Sequence, residues 1–168
     1  MQVPIRKSES KRVFAKPDHH LTEAKFLELQ NKLIRLKERR PRLAEEVKRL
    51  AEMGDFSENA GYQLAKSRLR GINQRILDIE DLLSRAEIIK PIINNGKIQL
   101  GNFVTIKNLE TEKNKTYQLL GSAETNPLSG VISHNSPLGS ALLNKQAGEI
   151  ISLEINDKKI SYKIIEIK

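Results

Sequence analysis

Met53-Gly54-Asp55-Phe56-Ser57-Glu58-Asn59-Ala60-Gly61-Tyr62 separates two long charged segments that carry apolar residues at coiled-coil spacing. On its N-terminal side Phe26, Leu29, Leu33, Leu36, Arg40, Leu43, Val47 and Leu50 follow one another at alternating steps of three and four. On its C-terminal side Tyr62, Ala65, Leu69, Ile72, Ile76, Ile79, Leu83 and Ala86 do the same. Such steps keep residues on one stripe of a helix, and sustained over several turns they make a coiled-coil seam. Paired antiparallel, the two segments fold back near Phe56, so the dividing stretch is the expected tip of a helical hairpin. Arms of about 30 residues at 1.5 Å rise each give a rod about 45 Å long, which presents that tip away from a small globular body.

The tip residues support two readings. Gly54 suits the left-handed position that ends a helix. Asp55-Phe56-Ser57-Glu58 has the pattern of a capping box, with Asp55 accepting backbone N–H groups at the N-cap and Glu58 reaching back from the third position. A carboxylate has more lone pairs than a cap uses, so the same two residues are also candidate metal ligands. Spacing alone leaves both readings open.

At 168 residues the chain has room for one ordinary domain or two small ones. A net charge of +8 with 30% charged and only 4% aromatic residues fits a partly extended helical protein better than one large core. The basic balance favours a polyanionic neighbour, although many basic proteins bind none. The absence of cysteine excludes disulfides, thiolate metal sites and thiol catalysis. No apolar run approaches the roughly 20 residues a membrane span needs, and the N-terminus lacks a signal peptide's apolar core. The expected location is the cytoplasm.

Residues 1–20 are polar and basic, without periodicity, and Pro4 and Pro17 argue against a continuous helix. They read as a flexible leader. His19-His20 suggests a metal only weakly, because no partner cluster adjoins them in sequence, and solvated histidines are the expectation. Thr22 is the expected N-cap of the first arm. Pro41 interrupts that arm and predicts a kink or local break, and Arg40 at a seam position is expected to snorkel outward beside it. On the second arm Lys66 and Arg70 share one face, as do Arg68 and Arg75. No acidic residue occurs between Glu58 and Asp78, so a basic stretch follows an acidic tip. Solvated charge or a polyanion contact explains it equally well. Residues 21–90 form the expected hairpin with its tip at 54–59.

Residues 91–101 read as a linker with Asn94-Asn95-Gly96 as its turn. Residues 102–168 switch to period two, with expected strands at 103–108, 116–120, 130–133, 150–155 and 160–167. Ser136-Pro137 opens a short helix to about Asn144, Ser as cap and Pro in the first turn. The fold class is therefore α+β, a helical hairpin followed by a small antiparallel sheet. Residues 1–90 hold 20 Lys and Arg against 14 Asp and Glu, and the remainder 9 against 7. Any polyanion partner is expected at the rod.

Gly54-Asp55-Phe56-Ser57-Glu58-Asn59-Ala60, with Tyr62, resembles the tip signature of the bacterial Gre transcript cleavage factors (GreA/GreB). Arg40-Pro41, Arg75-Ile76, Ile79-Glu80, Ile132-Ser133, Ser136-Pro137, Ala141-Leu142 and Tyr162-Lys163-Ile164 fall where that family has similar residues. The match runs from about Leu21 to the C-terminus. The resemblance implies an antiparallel coiled-coil hairpin followed by an FKBP-like domain. It implies a monomeric factor, not itself an enzyme, that enters the secondary channel of RNA polymerase. There the polymerase hydrolyses the 3′ end of backtracked nascent RNA. By the same resemblance Asp55 and Glu58 help hold a Mg²⁺ that is bound only in the complex, Lys66, Arg68 and Arg70 face RNA, and Ser136 and Pro137 bind the polymerase. Mg²⁺ often takes only one or two protein carboxylates, with waters and phosphate completing the shell. Two carboxylates three residues apart suit such a shared ion. This chain departs from the pattern at Gly61, where an acidic residue is usual, at Phe56, where leucine is commoner, and in its leader.

Other readings compete. Channel-binding inhibitors of the family carry a more acidic tip than Asp55 and Glu58 provide. A plain nucleic-acid-binding coiled coil would use both carboxylates only as caps. A prolyl isomerase of FKBP shape needs an aromatic-lined pocket, and the second half holds only Phe103, Tyr117 and Tyr162. An autonomous nuclease needs more clustered carboxylates than the chain offers.

Overall fold

A computed structural model of the chain describes residues 18–53, 60–90, 96–155 and 158–168. A two-residue strand β1 (His20–Leu21) leads into helix α1 (Glu23–Glu52), whose N-cap Thr22 accepts the Lys25 N–H through Oγ1 at 3.2 Å. Helix α2 (Ala60–Ser84) returns to a second two-residue strand, β2 (Glu87–Ile88), which pairs parallel with β1. Residues 54–59, and with them the expected tip and its capping box, lie outside the described residues.

The two helices meet along the expected seam. Leu29 packs with Ile79 and Leu43 with Ile72 and Ile76, so early α1 faces late α2 and the pair is antiparallel. Every seam residue in the two heptad series is buried or half-buried except Arg40, which is exposed as expected. Of the kink or local break expected at Pro41, the break does not occur, and α1 continues through it as a single helix. Pro41 sits on the exposed side, where solvent can satisfy the carbonyl that loses its donor. Seam packing on both sides, with Leu43 only 8% exposed, holds the turns together.

The second half is a five-stranded sheet in the order β5-β4-β3-β7-β6, comprising β3 (Phe103–Asn108), β4 (Asn114–Leu120), β5 (Val131–Ser133), β6 (Ile150–Ile155) and β7 (Lys158–Ile167). Its pairings are antiparallel except that of β4 with β5, which is parallel. The sheet is thus mixed at one edge rather than purely antiparallel. The chain leaves β4 through two 3₁₀ turns, Ser122–Glu124 and Pro127–Ser129, and re-enters running the same way instead of closing a hairpin. Helix α3 (Pro137–Leu142) closes the core with Leu142, which packs with Ile98, Val104, Ile106, Leu119 and Ile164.

Two expected boundaries move. Ile98, assigned to the linker, is fully buried in the sheet core, its N–H on Lys145 O at 2.7 Å and its carbonyl accepting Asn144 N–H at 2.8 Å. Residues 96–101 therefore belong to the sheet domain. Asp18, His19 and His20, assigned to the leader, pack at the junction of hairpin and sheet, where Glu87 N–H reaches His19 O at 2.9 Å. Residues 1–17 lie outside the described residues.

Candidate functional site

The sequence concentrates its candidates at the connection between α1 and α2. Asp55 and Glu58 belong to the undescribed residues 54–59, so their contribution rests on donor chemistry. Two hard carboxylate oxygens suit Mg²⁺. Among the described residues α2 has no acidic residue in its first turn, so that end of α2 adds no further ligand. Gly61, in the same turn, is exposed.

The three basic residues assigned to RNA do not share a face. At about 100° per residue Arg68 lies some 200° round α2 from Lys66, while Arg70 returns to the Lys66 side. Lys66 and Arg70 are exposed on that side, and Lys66 Nζ lies 5.5 Å from the centroid of the Tyr62 ring. Arg68 instead joins Arg75 and, across the seam, Arg39 around a shallow depression floored by Leu43 and Ile72. The hairpin thus carries two basic surfaces. Arg39 went unassigned in the sequence because its partners are on the other helix. On the opposite edge of the seam Lys37 pairs with Glu80 at 2.6 Å, beside Arg40 and Pro41.

Ser136 has a structural task in this fold. Its Oγ donates to Ser133 O at 2.6 Å and accepts Gly139 N–H at 3.0 Å, capping α3. Pro137 next to it is exposed. Tyr117 and Tyr162 line a cavity of about 180 Å³, but Ile106, Lys113, Lys115, Asn108 and Thr111 make up the rest of the wall and Phe103 is absent from it. That is not the aromatic box of a prolyl isomerase.

Sequence reasoning missed the junction. Thr22 N–H and Thr22 Oγ1–H both donate to the Glu124 carboxylate, at 2.7 Å each, so the residue that caps α1 also ties the hairpin to the sheet domain. Beside it Asp18, with a side chain 3% exposed, accepts from Ser122 N–H and from His20, whose Nδ1 is 2.9 Å away. Burial would raise the Asp18 pKa, but the hydrogen bonds from Ser122 and His20 outweigh it and hold the carboxyl at about 2. His134, from the loop after β5, brings Nδ1 to 3.5 Å from Asp18 Oδ2. Only tertiary folding joins residues so far apart in sequence.

Comparison with known proteins agrees with this architecture. Residues 19–88 match the family model described as transcription elongation factor, N-terminal, and residues 93–168 match transcription elongation factor, GreA/GreB, C-term. Transcription elongation factor GreA of Nitratiruptor sp. is 36% identical over 148 residues, 88% of this chain and 91% of that protein. The GreA of Staphylococcus saprophyticus is 37% identical over 150 residues, 88% and 95% of the respective chains. The crystal structure of GreA factor homolog 1 (Gfh1) of Thermus thermophilus aligns with 31% identity and a TM-score of 0.41, covering 89% of this chain and 97% of that one. With both halves matched in order, and with such identity along most of its length, the chain belongs to the GreA/GreB family of transcription elongation factors.

Proposed function

We propose that this elongation factor inserts its hairpin into the secondary channel of RNA polymerase and stimulates the polymerase's own cleavage of backtracked nascent RNA. The observation that carries the reading is a 30-residue α1 packed antiparallel on α2, with Asp55 and Glu58 in the short connection between them. A rod about 45 Å long delivers two carboxylates into a narrow passage that its sheet domain cannot enter.

Asp55 and Glu58 would hold Mg²⁺ jointly with the polymerase and the RNA phosphate. When bound, this ion supplies a polarised water and neutralises charge in the in-line displacement. Two carboxylates are too few to retain Mg²⁺ without those outside ligands, so the isolated factor is not an enzyme and holds no stable metal at its tip. Lys66 and Arg70 form the basic face we assign to the RNA backbone, with Tyr62 steadying Lys66. Arg68, together with Arg75 and Arg39, provides a second basic surface for the channel wall or for RNA. On the sheet domain, exposed Pro137 and the turn that Ser136 caps meet the polymerase outside the channel. The factor works as a monomer in the cytoplasm, where its polymerase is. Among the described residues no helix is long and apolar enough to cross a membrane.

The test is RNA cleavage in stalled, backtracked elongation complexes with wild type, Asp55→Asn, Glu58→Gln and the double variant. Asparagine remains a good N-cap and glutamine still serves a capping box, so the hairpin persists. The expected result is stimulation by wild type, and variants that bind polymerase without stimulating. Equal cleavage by all four proteins would reduce both carboxylates to caps, and suppression by wild type would make the chain an inhibitor of the same channel.

A further inference from the structure

Asp18, His20 and His134 lie at the opposite end of the rod from the tip, and transcript cleavage as proposed above uses none of them. One ligand atom from each falls within 4.8 Å of the other two. From this geometry we infer that the junction of hairpin and sheet domain is a binding site for a transition-metal ion of the Zn²⁺ class, with Asp18, His20 and His134 as protein ligands and a water in the fourth position.

The spacing fits. In a tetrahedral site with bonds of about 2.0–2.1 Å, neighbouring ligand atoms are about 3.3 Å apart. His20 Nδ1 is 2.9 Å from Asp18 Oδ1 and His134 Nδ1 is 3.5 Å from Asp18 Oδ2, so each imidazole stands near this spacing from one oxygen of the carboxylate, and an ion would replace the 3.4 Å contact of His134 Nδ1 with Leu120 O. The two rings stand edge to face, 5.3 Å between centroids and 80° between planes, so both nitrogens converge on the carboxylate without stacking. Small rotations of the two rings admit an ion between them and Asp18.

The surroundings are those of a prepared site. Asp18 is 3% exposed and His134 15%, and the Ser122 N–H fixes the carboxylate. His20, ligating through Nδ1, is left with Nε2 3.4 Å from Glu87 Oε2. Glu87 thus stands on the side of the ring where carboxylates stand behind metal-bound imidazoles. Two imidazoles and one carboxylate select Zn²⁺, Co²⁺, Ni²⁺ or Cu²⁺ over Mg²⁺ or Ca²⁺, which want all-oxygen shells. The ligands come from both sides of the junction, since Asp18 and His20 precede α1 and His134 follows β5. A bound ion would therefore clamp the base of the hairpin to the sheet domain.

Co²⁺ is the probe, because its visible d–d bands report nitrogen and oxygen ligands directly. Untagged full-length protein is stripped with EDTA, exchanged into chelator-free buffer and titrated with Co²⁺. The same is done with His134→Asn, His20→Asn and the double tip variant Asp55→Asn/Glu58→Gln. The expected result is one equivalent of Co²⁺ with tetrahedral bands, bleached by equimolar Zn²⁺ and untouched by millimolar Mg²⁺. Either histidine variant should weaken binding at least about tenfold while circular dichroism stays native, and the tip variant should bind as wild type does. Zn²⁺ at about 100-fold its Kd should also raise the wild-type Tm by about 5 °C or more. Absence of bands in wild type overturns the inference, as does undiminished binding in both histidine variants or binding lost with the tip carboxylates.

Discussion

Gly121 shows how closely the two halves approach. A Cβ built there would lie 1.9 Å from His20 O, a backbone atom with no freedom to swing aside. Gly121→Ala must push β1 off the turn at Ser122, and should destabilise the protein by about 1–3 kcal/mol in urea unfolding. Asp18 acts at the same place. Its folded pKa of about 2 lies below the ordinary aspartate value of 3.8, so its stabilising contribution is complete above pH 3.8 and fades as the pH falls through 2. In EDTA, Asp18→Asn should therefore lower stability by about 2 kcal/mol at pH 6, with the difference shrinking below pH 3.8. A difference that stays constant down to pH 2 would exclude this account. Neither residue announced itself in the sequence. Asp18 stood in a stretch without periodicity, and of the partners that hold it His20 is a neighbour, while Ser122 is more than a hundred positions away. The proposed tip, which lies outside the described residues, rests on the opposite kind of signal, since glycine, cap and third-position carboxylate fall within five consecutive residues.

The helical arms were readable almost residue by residue because a coiled-coil seam is a local, repeating pattern. Ile76 and Leu77 test it. They are adjacent in sequence and about 100° apart round α2, but 4% and 59% exposed. Ile76→Ala should cost about 2–5 kcal/mol in thermal or urea unfolding, whereas Leu77→Ala should stay within about 0.5 kcal/mol of wild type. Similar losses at both positions would mean that α2 packs through another face. Strands β3 and β6 were equally legible from β-branched alternation and bounding turns. The parallel pairing of β5 was not, because strand direction depends on the route of the crossover rather than on the strand's own residues. The break expected at Pro41 failed for a related reason. Its effect on an isolated helix is local, but here packing on both sides of the proline keeps the helix continuous. The basic residues of α2 were legible by sign and by face, Arg68 falling with Arg75 as helical spacing placed it, whereas Arg39 joins them only through the other arm.

If the hairpin enters the polymerase channel as proposed, the whole molecule acts as a lever with its fulcrum at the junction. The hairpin base has its own small core around Leu21, Leu29 and Ile79, the sheet domain has another, and polar contacts tie the one to the other. Glu124 is central among them, because its carboxylate takes both the N–H and the hydroxyl proton of Thr22, the residue that starts α1. A rotation of about 5° at the base of a rod about 45 Å long moves its far end by about 4 Å. Catalytic geometry tolerates far less, since a misplacement of about 1 Å can cost about a hundredfold in rate. Glu124→Ala removes the tie without touching the tip, the seam or either core. The expected outcome is native helix content, binding to polymerase within a few-fold of wild type, and RNA cleavage at saturating factor lowered at least about tenfold. Wild-type cleavage by this variant would show that the channel alone aligns the hairpin. A loss of cleavage matched by an equal loss of binding would place Glu124 in the polymerase contact rather than in the lever.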